Sequence, residues 1–157
     1  MPLGDSRFEL RPNGDQDFLS LHANCAFAAA EIVLTFSLSK PQEKPYRYTI
    51  QCGRDQHAVL QPEFLRYMNH HCAPNLYLDM QSQRLLCLRD VVPGDELTIF
   101  YPATEWLMAE GFDCHCGFSG CLGRIRGAAF IDVTTLKSHR VAAHILEQSE
   151  GHPATLD

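Results

Sequence analysis

The sequence of 157 residues lacks a long apolar run. Its longest candidate, "CAFAAAEIVLTFSL", is interrupted by Glu31, which favours a buried segment and a strand over a membrane span of about 20 apolar residues. The first residues, "MPLGDSRFEL", contain neither the basic end nor the apolar centre of a secretory signal. We therefore expect a protein of the cytoplasm or nucleus that is not secreted and does not bind a membrane.

Basic residues are also scarce, with 13 Lys and Arg against 19 Asp and Glu and a formal net charge of -6. Binding along nucleic-acid phosphates needs clustered Lys and Arg, and the sequence shows no such cluster, so we expect no direct nucleic-acid partner. Residues 90–113 contain six Asp and Glu but no Lys or Arg. This acidic segment either attracts a basic partner or forms an ordinary solvated face.

Internal repeats and low-complexity tracts are absent, whereas strand-like runs recur along the whole chain. Runs such as "EIVLTFSL", "NLYLDM" and "ELTIFY" are rich in β-branched and aromatic residues. The segments "GRDQ" and "MQSQ" separate neighbouring runs and indicate hairpin turns. The irregular pattern argues against a regular βαβ fold and predicts a single domain that is mostly β, of the α+β class.

Two segments favour helices. The segment "PEFLRYM" begins with Pro62, which suits the first turn of a helix. A longer helix is predicted from Thr134 to Gln148, with Asp132 or a neighbouring Thr as its N-cap. The apolar stripe of this longer helix would consist of Leu136, Val141, Ile145 and Leu146. The last residues of the chain, "SEGHPATLD", are typical of a frayed tail.

Three of the seven cysteines lie close together in "CHCGFSGC". Cys114, Cys116 and Cys121 form a C-x-C-x4-C pattern, and the intervening glycines allow the chain to wrap around an ion. In a reducing compartment such a pattern predicts a metal site and not a set of disulfides. Zinc is the expected metal, because closed structural zinc sites use several thiolate ligands.

Zinc needs a fourth ligand from elsewhere in the chain. Cys72 is the first candidate, because it lies in the polar stretch "RYMNHHCAPN". The alternative ligands are His70, His71 and His115. The remaining cysteines lie in apolar or strand-like runs that are typical of buried thiols, and they are Cys25, Cys52 and Cys87.

The stretch "RYMNHHCAPN" itself is dense in polar side chains, so it forms a turn, binds a metal or holds a substrate. The strand-like "GDELTIFY", which ends at Tyr101, lies in sequence between Cys72 and the cysteine cluster. If Cys72 binds the zinc, the closed segment would exclude water from whatever Asn69 and His70 hold.

In order and spacing, "RYMNHHCAPN", "GDELTIFY" and "FDCHCGFSGCLG" resemble the core motifs of SET-domain protein lysine methyltransferases and their post-SET zinc segment. The resemblance covers roughly residues 8–126, and the chain is most similar to small stand-alone members of the family. It implies small β-sheets around a knot-like crossing of the first two motifs. We expect a SET core at residues 1–108, a post-SET zinc segment at 109–126, and a C-terminal helix and tail at 127–157.

The resemblance also implies the roles of individual residues. Tyr101 matches the catalytic tyrosine, which also contacts S-adenosylmethionine, and Ile99 and Phe100 would line the substrate channel. The further cofactor contacts would be Arg66, Tyr67, Asn69, the backbone of His70, and Leu122. The zinc ligands would be Cys72, Cys114, Cys116 and Cys121.

Methyl transfer to a lysine requires the alignment of two reactants and an unprotonated amine. A free lysine has a pKa of about 10.4, and a dry aromatic channel would favour its neutral form. The acidic segment would attract a basic lysine-containing peptide, with a histone as one candidate. The resemblance implies that this peptide docks as an added strand at a sheet edge.

The sequence departs from the family at three glycines. Alignment on Glu31 places Phe18 and Ser20 at the family's Gly-x-Gly turn and Ala30 at a third glycine. Side chains at these positions restrict φ and the approach of the backbone to the methionine part of the cofactor. Ile99 also stands where the family often has Phe or Tyr, and the absence of a hydroxyl there favours higher methylation states.

Three functions are compatible with this sequence. The first is an active methyltransferase, which the intact Asn69, His70 and Tyr101 favour. The second is a catalytically weak or inactive SET-fold module that binds basic peptides, because the missing glycines would weaken cofactor binding. The third is a zinc-stabilised β-domain without a groove function, which leaves the three ordered motifs to coincidence.

Overall fold

A computed structural model describes residues 3–14 and 18–151. Within these residues the strands form six small sheets and carry most of the regular structure. The strands are β1 (Phe8–Pro12), β2 (Leu19–Ala23), β3 (Ile32–Thr35), β4 (Ser37–Leu38), β5 (Ile50–Gly53), β6 (Gln56–Ala58), β7 (Leu60–Gln61), β8 (Asn69–His70), β9 (Leu76–Asp79), β10 (Arg84–Cys87), β11 (Thr98–Ile99), β12 (Phe112–Asp113) and β13 (Arg124–Ile125). The helical elements are 3₁₀ turns at Glu63–Tyr67, Tyr101–Ala103 and Ala128–Phe130, followed by α1 (Val133–Lys137) and α2 (Ala143–Gly151).

The predicted β-rich, α+β class is confirmed, and so are both predicted hairpin turns. β5 and β6 pair antiparallel around "GRDQ", and β9 and β10 pair antiparallel around "MQSQ". Strand β10 also pairs with β3 and is the centre of the three-stranded sheet. The helical turn begins one residue later than predicted. It is the 3₁₀ turn Glu63–Tyr67, and Pro62 is its N-cap and not part of its first turn.

The crossing of the two central motifs is formed by a parallel pair of short strands. Asn69 of β8 lies opposite Thr98 of β11, and His70 lies opposite Ile99. The N–H of His71 extends the pair by donating to the carbonyl of Ile99 at 3.0 Å. The two polar stretches are therefore adjacent in space although 28 residues separate the paired positions.

Two apolar clusters hold the sheets and the C-terminal segment together. The main core packs β2, the first 3₁₀ turn, β10 and β11 around the fully buried Leu21, Leu65, Leu85 and Leu97. Each such side chain contributes about 1.5–3 kcal/mol when it leaves water. The second cluster packs the C-terminal helices against the residues that follow β11, and its members are Phe100, Ala103, Ala128, Leu136, Ala142 and Ile145.

The helix predicted from Thr134 to Gln148 is wrong as a single element, because residues 138–142 separate α1 from α2. The predicted cap is confirmed, since the Asp132 carboxylate accepts a hydrogen bond from the Thr135 N–H at 2.9 Å. The break follows from His139, whose ring stacks on Phe100 with centroids 3.8 Å apart and whose Nε2 donates to the Cys72 carbonyl at 2.9 Å. These tertiary contacts outweigh the weak helix preference of a short segment.

Several smaller expectations have mixed outcomes. Cys87 is buried as predicted, whereas Cys25 and Cys52 are half-buried. The predicted frayed tail begins at Ser149, but α2 continues to Gly151, and residues 152–157 lie outside the described residues. The predicted boundaries at residues 108 and 126 stay predictions. In the described ranges, no helix has the length and apolar character needed to cross a membrane.

The three positions where the family has glycine differ in their backbone demands. Ser20 lies within β2 opposite Arg11, and Phe18 precedes the same strand without a positive φ, so neither position requires glycine conformationally. Ala30 adopts φ +69°, while its N–H donates to the Cys87 carbonyl at 2.9 Å. A left-handed φ costs a residue with a Cβ about 1–2 kcal/mol relative to the right-handed region.

We predict that Ala30→Gly raises the free energy of unfolding by about 0.5–1 kcal/mol, because the relief of left-handed strain exceeds the entropy gained by the unfolded chain. Urea unfolding measures the change. Ala29→Gly is the matched control, since Ala29 does not have a positive φ, and it should lose about 0.5–1 kcal/mol. Equal losses in both variants would show that Ala30 is not strained.

Candidate functional site

A cleft of about 560 Å³ opens beside the crossing of β8 and β11. Its wall is formed by residues 18–19 and 45–50, by the 3₁₀ turn Glu63–Tyr67 with β8, and by the segment that follows β11. The cleft brings together six of the residues predicted for cofactor or substrate, and these are Arg66, Tyr67, Asn69, His70, Ile99 and Tyr101.

Two predicted site residues lie outside the wall of this cleft. Phe100 instead lines a second cavity of about 390 Å³ on the other side of β11, and Ile99 lines both cavities. Leu122 packs against the cysteine cluster, and its N–H donates to the Cys72 sulfur at 3.4 Å. The roles predicted for Phe100 and Leu122 stay predictions.

Tyr101 is fixed at both ends of the residue. Its hydroxyl donates to the Met68 carbonyl at 2.9 Å, and its N–H donates to Nδ1 of His70 at 3.1 Å. Burial raises the pKa of Tyr101 to about 12. The side chain is therefore a neutral phenol at physiological pH, and its oxygen orients a neighbouring group through lone pairs and does not act as a strong base.

The side-chain oxygen of Asn69 is available to accept a hydrogen bond from a ligand. Nδ2 donates to the Glu96 carboxylate at 2.9 Å and to the Leu19 carbonyl at 3.5 Å. Among the residues described, no donor reaches its Oδ1. An acceptor at this position suits an ammonium or N–H group bound in the cleft.

Arg66 carries a buried donor that the described chain leaves without a partner. Its terminal nitrogens contact Glu63 at 2.5 Å and the Tyr67 hydroxyl at 3.1 Å. Within residues 3–14 and 18–151, Nε is buried and finds no hydrogen-bond acceptor. A buried unpaired donor costs about 1–3 kcal/mol, so this nitrogen fits an anionic ligand group such as a carboxylate.

The side chain of His70 connects the cleft to the cysteine cluster. Nδ1 accepts from the backbone of Tyr101, so the hydrogen of the neutral ring is on Nε2, which points at the Cys72 sulfur at 3.3 Å. Burial, with nearby His71 and His139, lowers the pKa of His70 to about 4, which keeps the ring neutral. The ring therefore links the backbone of Tyr101 to a predicted metal ligand.

The four predicted zinc ligands lie together. Their sulfurs are within 4.8 Å of one another, and Cys72 is 3.9 Å from both Cys114 and Cys121. A tetrahedral zinc with Zn–S bonds of about 2.3 Å places its sulfurs about 3.8 Å apart, so the cluster fits this ion. Burial raises the pKa of the Cys72 and Cys114 thiols, the latter to about 11, and a bound cation offsets that effect by stabilising thiolates.

The three histidine alternatives for the fourth ligand fit the cluster less well. His70 already directs Nε2 at the Cys72 sulfur, and Nδ1 of His71 accepts the Ala73 N–H at 2.9 Å. His115 is exposed, although it lies between two of the cysteines. The geometry thus favours Cys72 as the fourth ligand.

The acidic segment 90–113 divides into structural and cleft-facing residues. Glu105 and Glu110 line the cleft. The other four carboxylates accept hydrogen bonds or form an ion pair within the fold, and they belong to Asp90, Asp95, Glu96 and Asp113. Two acidic residues of the segment, and not the whole segment, therefore line the cleft.

Glu105 ties the segment after Tyr101 to strand β5. Its carboxylate accepts the Gln51 N–H at 2.8 Å, and the Gln51 side-chain oxygen accepts the Trp106 N–H at 2.8 Å. Gln51 also donates to the Gln148 side chain of α2 at 3.2 Å. Burial raises the pKa of Glu105 to about 7.

Comparison with known protein families identifies this arrangement. The SET domain family matches residues 8–102, which is more than half of the chain. The chain belongs to the SET-domain methyltransferase family. The match contains the crossing, Cys72 and Tyr101, and the other three cysteines of the cluster follow it, which is consistent with a post-SET zinc motif.

Relatives in sequence support the same family. This SET-domain chain is 32% identical over 133 residues to methyltransferase flvH of Aspergillus flavus, with 83% of this chain and 74% of flvH covered. It is 34% identical over 88 residues to an H3 lysine-36 specific histone-lysine N-methyltransferase of Schizosaccharomyces pombe. That match spans 52% of this chain but only 11% of the yeast protein.

Solved structures confirm the SET-domain fold. KRYPTONITE, solved with mCHH DNA, an H3(1-15) peptide and SAH, has a TM-score of 0.57 at 19% identity, covering 74% of this chain and 29% of that chain. The methyltransferase domain of human SETMAR also has a TM-score of 0.57, at 16% identity, covering 76% of this chain and 58% of that chain. At these identities the likeness concerns the fold alone.

Sequence reasoning missed three residues of the SET-domain cleft. Phe112 lies edge-on to Tyr101, with ring centroids 5.9 Å apart, and closes the side nearest the cysteine cluster. Arg47 lines the cleft from a segment without a motif, and Glu105 was seen only as one of the charges of the acidic segment 90–113. For Phe112, the one local signal of its place beside the cleft was its position two residues before Cys114.

We predict that Cys72→Ser loses zinc as fully as Cys116→Ser, with a loss of folding stability on the order of 3–5 kcal/mol, because three ligands cannot close a structural site. Metal content by mass spectrometry and thermal melting measure both effects. Cys52→Ser, at a half-buried cysteine outside the cluster, is the control that should retain zinc. Full zinc and an unchanged melting temperature in Cys72→Ser would assign the fourth ligand to another residue.

We predict a pH-dependent effect of Glu105→Gln, which keeps an oxygen acceptor for Gln51. The folded pKa of about 7 exceeds the ordinary value of 4.5, so the carboxyl stabilises the fold below pH 4.5, and this contribution disappears as the pH rises through 7. The stability of Glu105→Gln relative to wild type should thus increase from pH 4.5 to pH 8 by on the order of 1–3 kcal/mol.

Urea unfolding at both pH values measures this difference. Glu110→Gln, which removes an exposed carboxylate of the same cleft, is the control for a change in net charge. A stability difference between Glu105→Gln and wild type that is constant with pH would contradict the prediction.

Proposed function

We propose that this SET-domain protein transfers a methyl group from S-adenosylmethionine to a lysine side chain of a basic protein substrate. The observation that carries the proposal is the convergence of Arg66, Asn69, His70 and Tyr101 on one cleft at the crossing of β8 and β11. The names of relatives add support, since flvH is a methyltransferase and the Schizosaccharomyces pombe relative is a histone-lysine N-methyltransferase.

The polar groups in the cleft fit the amino-acid part of S-adenosylmethionine. The unpaired Nε of Arg66 suits its carboxylate, and Oδ1 of Asn69 suits its ammonium group. The backbone of His70 and Leu122 would contact the adenine end, with Tyr67 beside Arg66. When bound, the cofactor supplies an electrophilic methyl group.

Tyr101 is the proposed catalytic residue. Because its hydroxyl hydrogen is directed to the Met68 carbonyl, its oxygen lone pairs remain to orient the lysine amine. Apolar surface from Ile99 and Phe112 beside it disfavours a charged ammonium, which lowers the pKa of a bound lysine. Tyr101 thus aligns a neutral amine, and alignment is the larger part of this catalysis.

The proposed zinc is structural, held by Cys72, Cys114, Cys116 and Cys121, and it fixes the post-SET segment beside the cleft. Through Nε2 of His70, the metal site also supports the backbone position of Tyr101. Hydrogen bonds of this kind to a metal ligand fix its orientation.

The substrate is proposed to be a basic lysine-containing peptide, and a histone tail has this charge. Glu110 provides negative charge in the cleft wall, and Glu105, whose pKa is about 7, adds to it when ionised. The N–H of Gln51 is already bonded to Glu105, so an added strand along β5 would have to displace that carboxylate. We expect the protein to act in the nucleus or cytoplasm, without a direct nucleic-acid partner.

A peptide-binding module without methyl transfer is the second candidate. Phe18 favours it, because this side chain lies in the cleft wall at a position where the family has glycine and is 49% exposed. A bulky side chain there narrows the space at the methionine end of the cofactor site.

Calorimetric titration of the zinc-loaded protein with S-adenosylmethionine tests the proposal. We predict that Asn69→Ala weakens binding at least about tenfold, since one charge-assisted hydrogen bond contributes about 1.5–3 kcal/mol. Asn24→Ala, at an exposed asparagine outside the cleft, is the matched control. Absence of binding to the wild-type protein would favour the peptide-binding module.

Methylation of recombinant histones by the Tyr101→Phe variant is the second arm of this test. The variant keeps the aromatic ring and should retain most of its cofactor affinity, but it should lose about 100-fold in kcat, because the group that orients the amine is removed. A fully active Tyr101→Phe would assign the catalytic role to another residue.

A further inference from the structure

Two arginines approach the same end of the cleft. The guanidinium carbon of Arg47 lies 4.9 Å from the Phe18 ring centroid and 5.7 Å from that of Tyr48. The guanidinium carbon of Arg66 lies 4.6 Å from the centroid of the same Tyr48 ring. Both arginines line the cleft together with Asn69.

The two guanidinium groups are incompletely neutralised. Arg66 contacts Glu63 but leaves its buried Nε without a partner in the described residues. Over the same residues, Arg47 takes part in none of the ion pairs. Like charges near one aromatic ring repel each other, and an anion bound by both reduces this cost. At this end of the cleft Glu63 pairs with Arg66, and the positive charge of Arg47 is left over, in a protein whose net charge is -6.

The charge of Arg47 also reaches the reacting end of the cleft. Burial, the larger effect, raises the pKa of the Tyr101 hydroxyl, whereas the positive charge of Arg47 lowers it. The Arg47 side chain is exposed and lines the cleft wall. Stacking on Phe18 holds it there, because a cation over an aromatic face is attracted by the ring quadrupole.

We propose that Arg47 and Arg66 together bind the carboxylate of the cofactor's amino-acid part, with the Phe18 ring as the platform that positions Arg47. The planar guanidinium fork matches a carboxylate in geometry as well as in charge. Arg47 thereby replaces the backbone approach that the family's glycine turn allows, and Phe18 becomes part of the binding site. This inference rests on the proposed use of S-adenosylmethionine.

The test compares two ligands that differ in the amino-acid part. S-adenosylhomocysteine carries the carboxylate, whereas 5′-methylthioadenosine has the same thioether and adenosine without it. Calorimetry with the zinc-loaded protein should show that Arg47→Gln weakens S-adenosylhomocysteine about tenfold. The affinity for 5′-methylthioadenosine should change less than about twofold, because no carboxylate is present.

Three further variants sharpen this comparison. Arg54→Gln removes an exposed arginine that does not line the cleft, and it should leave both affinities unchanged. Arg47→Lys keeps the charge but loses the fork, so its effect on S-adenosylhomocysteine should be intermediate. Phe18→Leu removes the aromatic platform and should weaken S-adenosylhomocysteine about threefold.

The outcomes separate this inference from the proposed function. Tight S-adenosylhomocysteine binding that Arg47→Gln leaves unchanged would overturn the role of Arg47 and keep the proposed function. An equal loss for both ligands would also overturn it, since the effect would then not depend on the carboxylate. Absence of S-adenosylhomocysteine binding to the wild-type protein would overturn both. A loss confined to peptide binding would place Arg47 on the substrate side and contradict the proposal.

Discussion

The parallel pairing of β8 with β11 is the constraint on which the rest of the site depends. It places the Asn69–His70 segment beside the strand that leads into Tyr101, and both ends of Tyr101 are then bonded to residues 68–70. Such a pair is too short to be stable alone, so the buried Leu65 and Leu97 beside it supply the stabilisation. The position of Tyr101 in the cleft consequently depends on the core.

His70 shows how a proposed structural metal site and a proposed catalytic site can share one side chain. The ring accepts from the Tyr101 backbone and donates towards Cys72, and burial keeps it neutral so that both bonds are compatible. A protonated ring would have no acceptor for the Tyr101 N–H. The cysteine cluster therefore supports the geometry of the cleft although the proposed metal does no chemistry.

The missing glycines illustrate the difference between a conformational and a steric requirement. Phe18 and Ser20 need no positive φ, so a side chain there changes what fills the cleft and leaves the path of the backbone intact. Ala30 keeps the left-handed backbone that glycine favours, at an energetic cost. The chain thus keeps the backbone path of a SET-domain cleft although all three glycines are absent.

The sequence by itself determined the features that depend on local chemistry. The cysteine pattern, the hairpin turns, the Asp132 cap and the order of the motifs all arise from residues close in the chain, and the structure bears out the turns, the cap and the SET fold. Only the tertiary structure decided the break at His139, the hydrogen bond from Gln51 to Glu105 and the approach of Arg47 to Phe18. These three depend on partners 29 or more residues away, and such contacts leave no periodicity or spacing in the sequence.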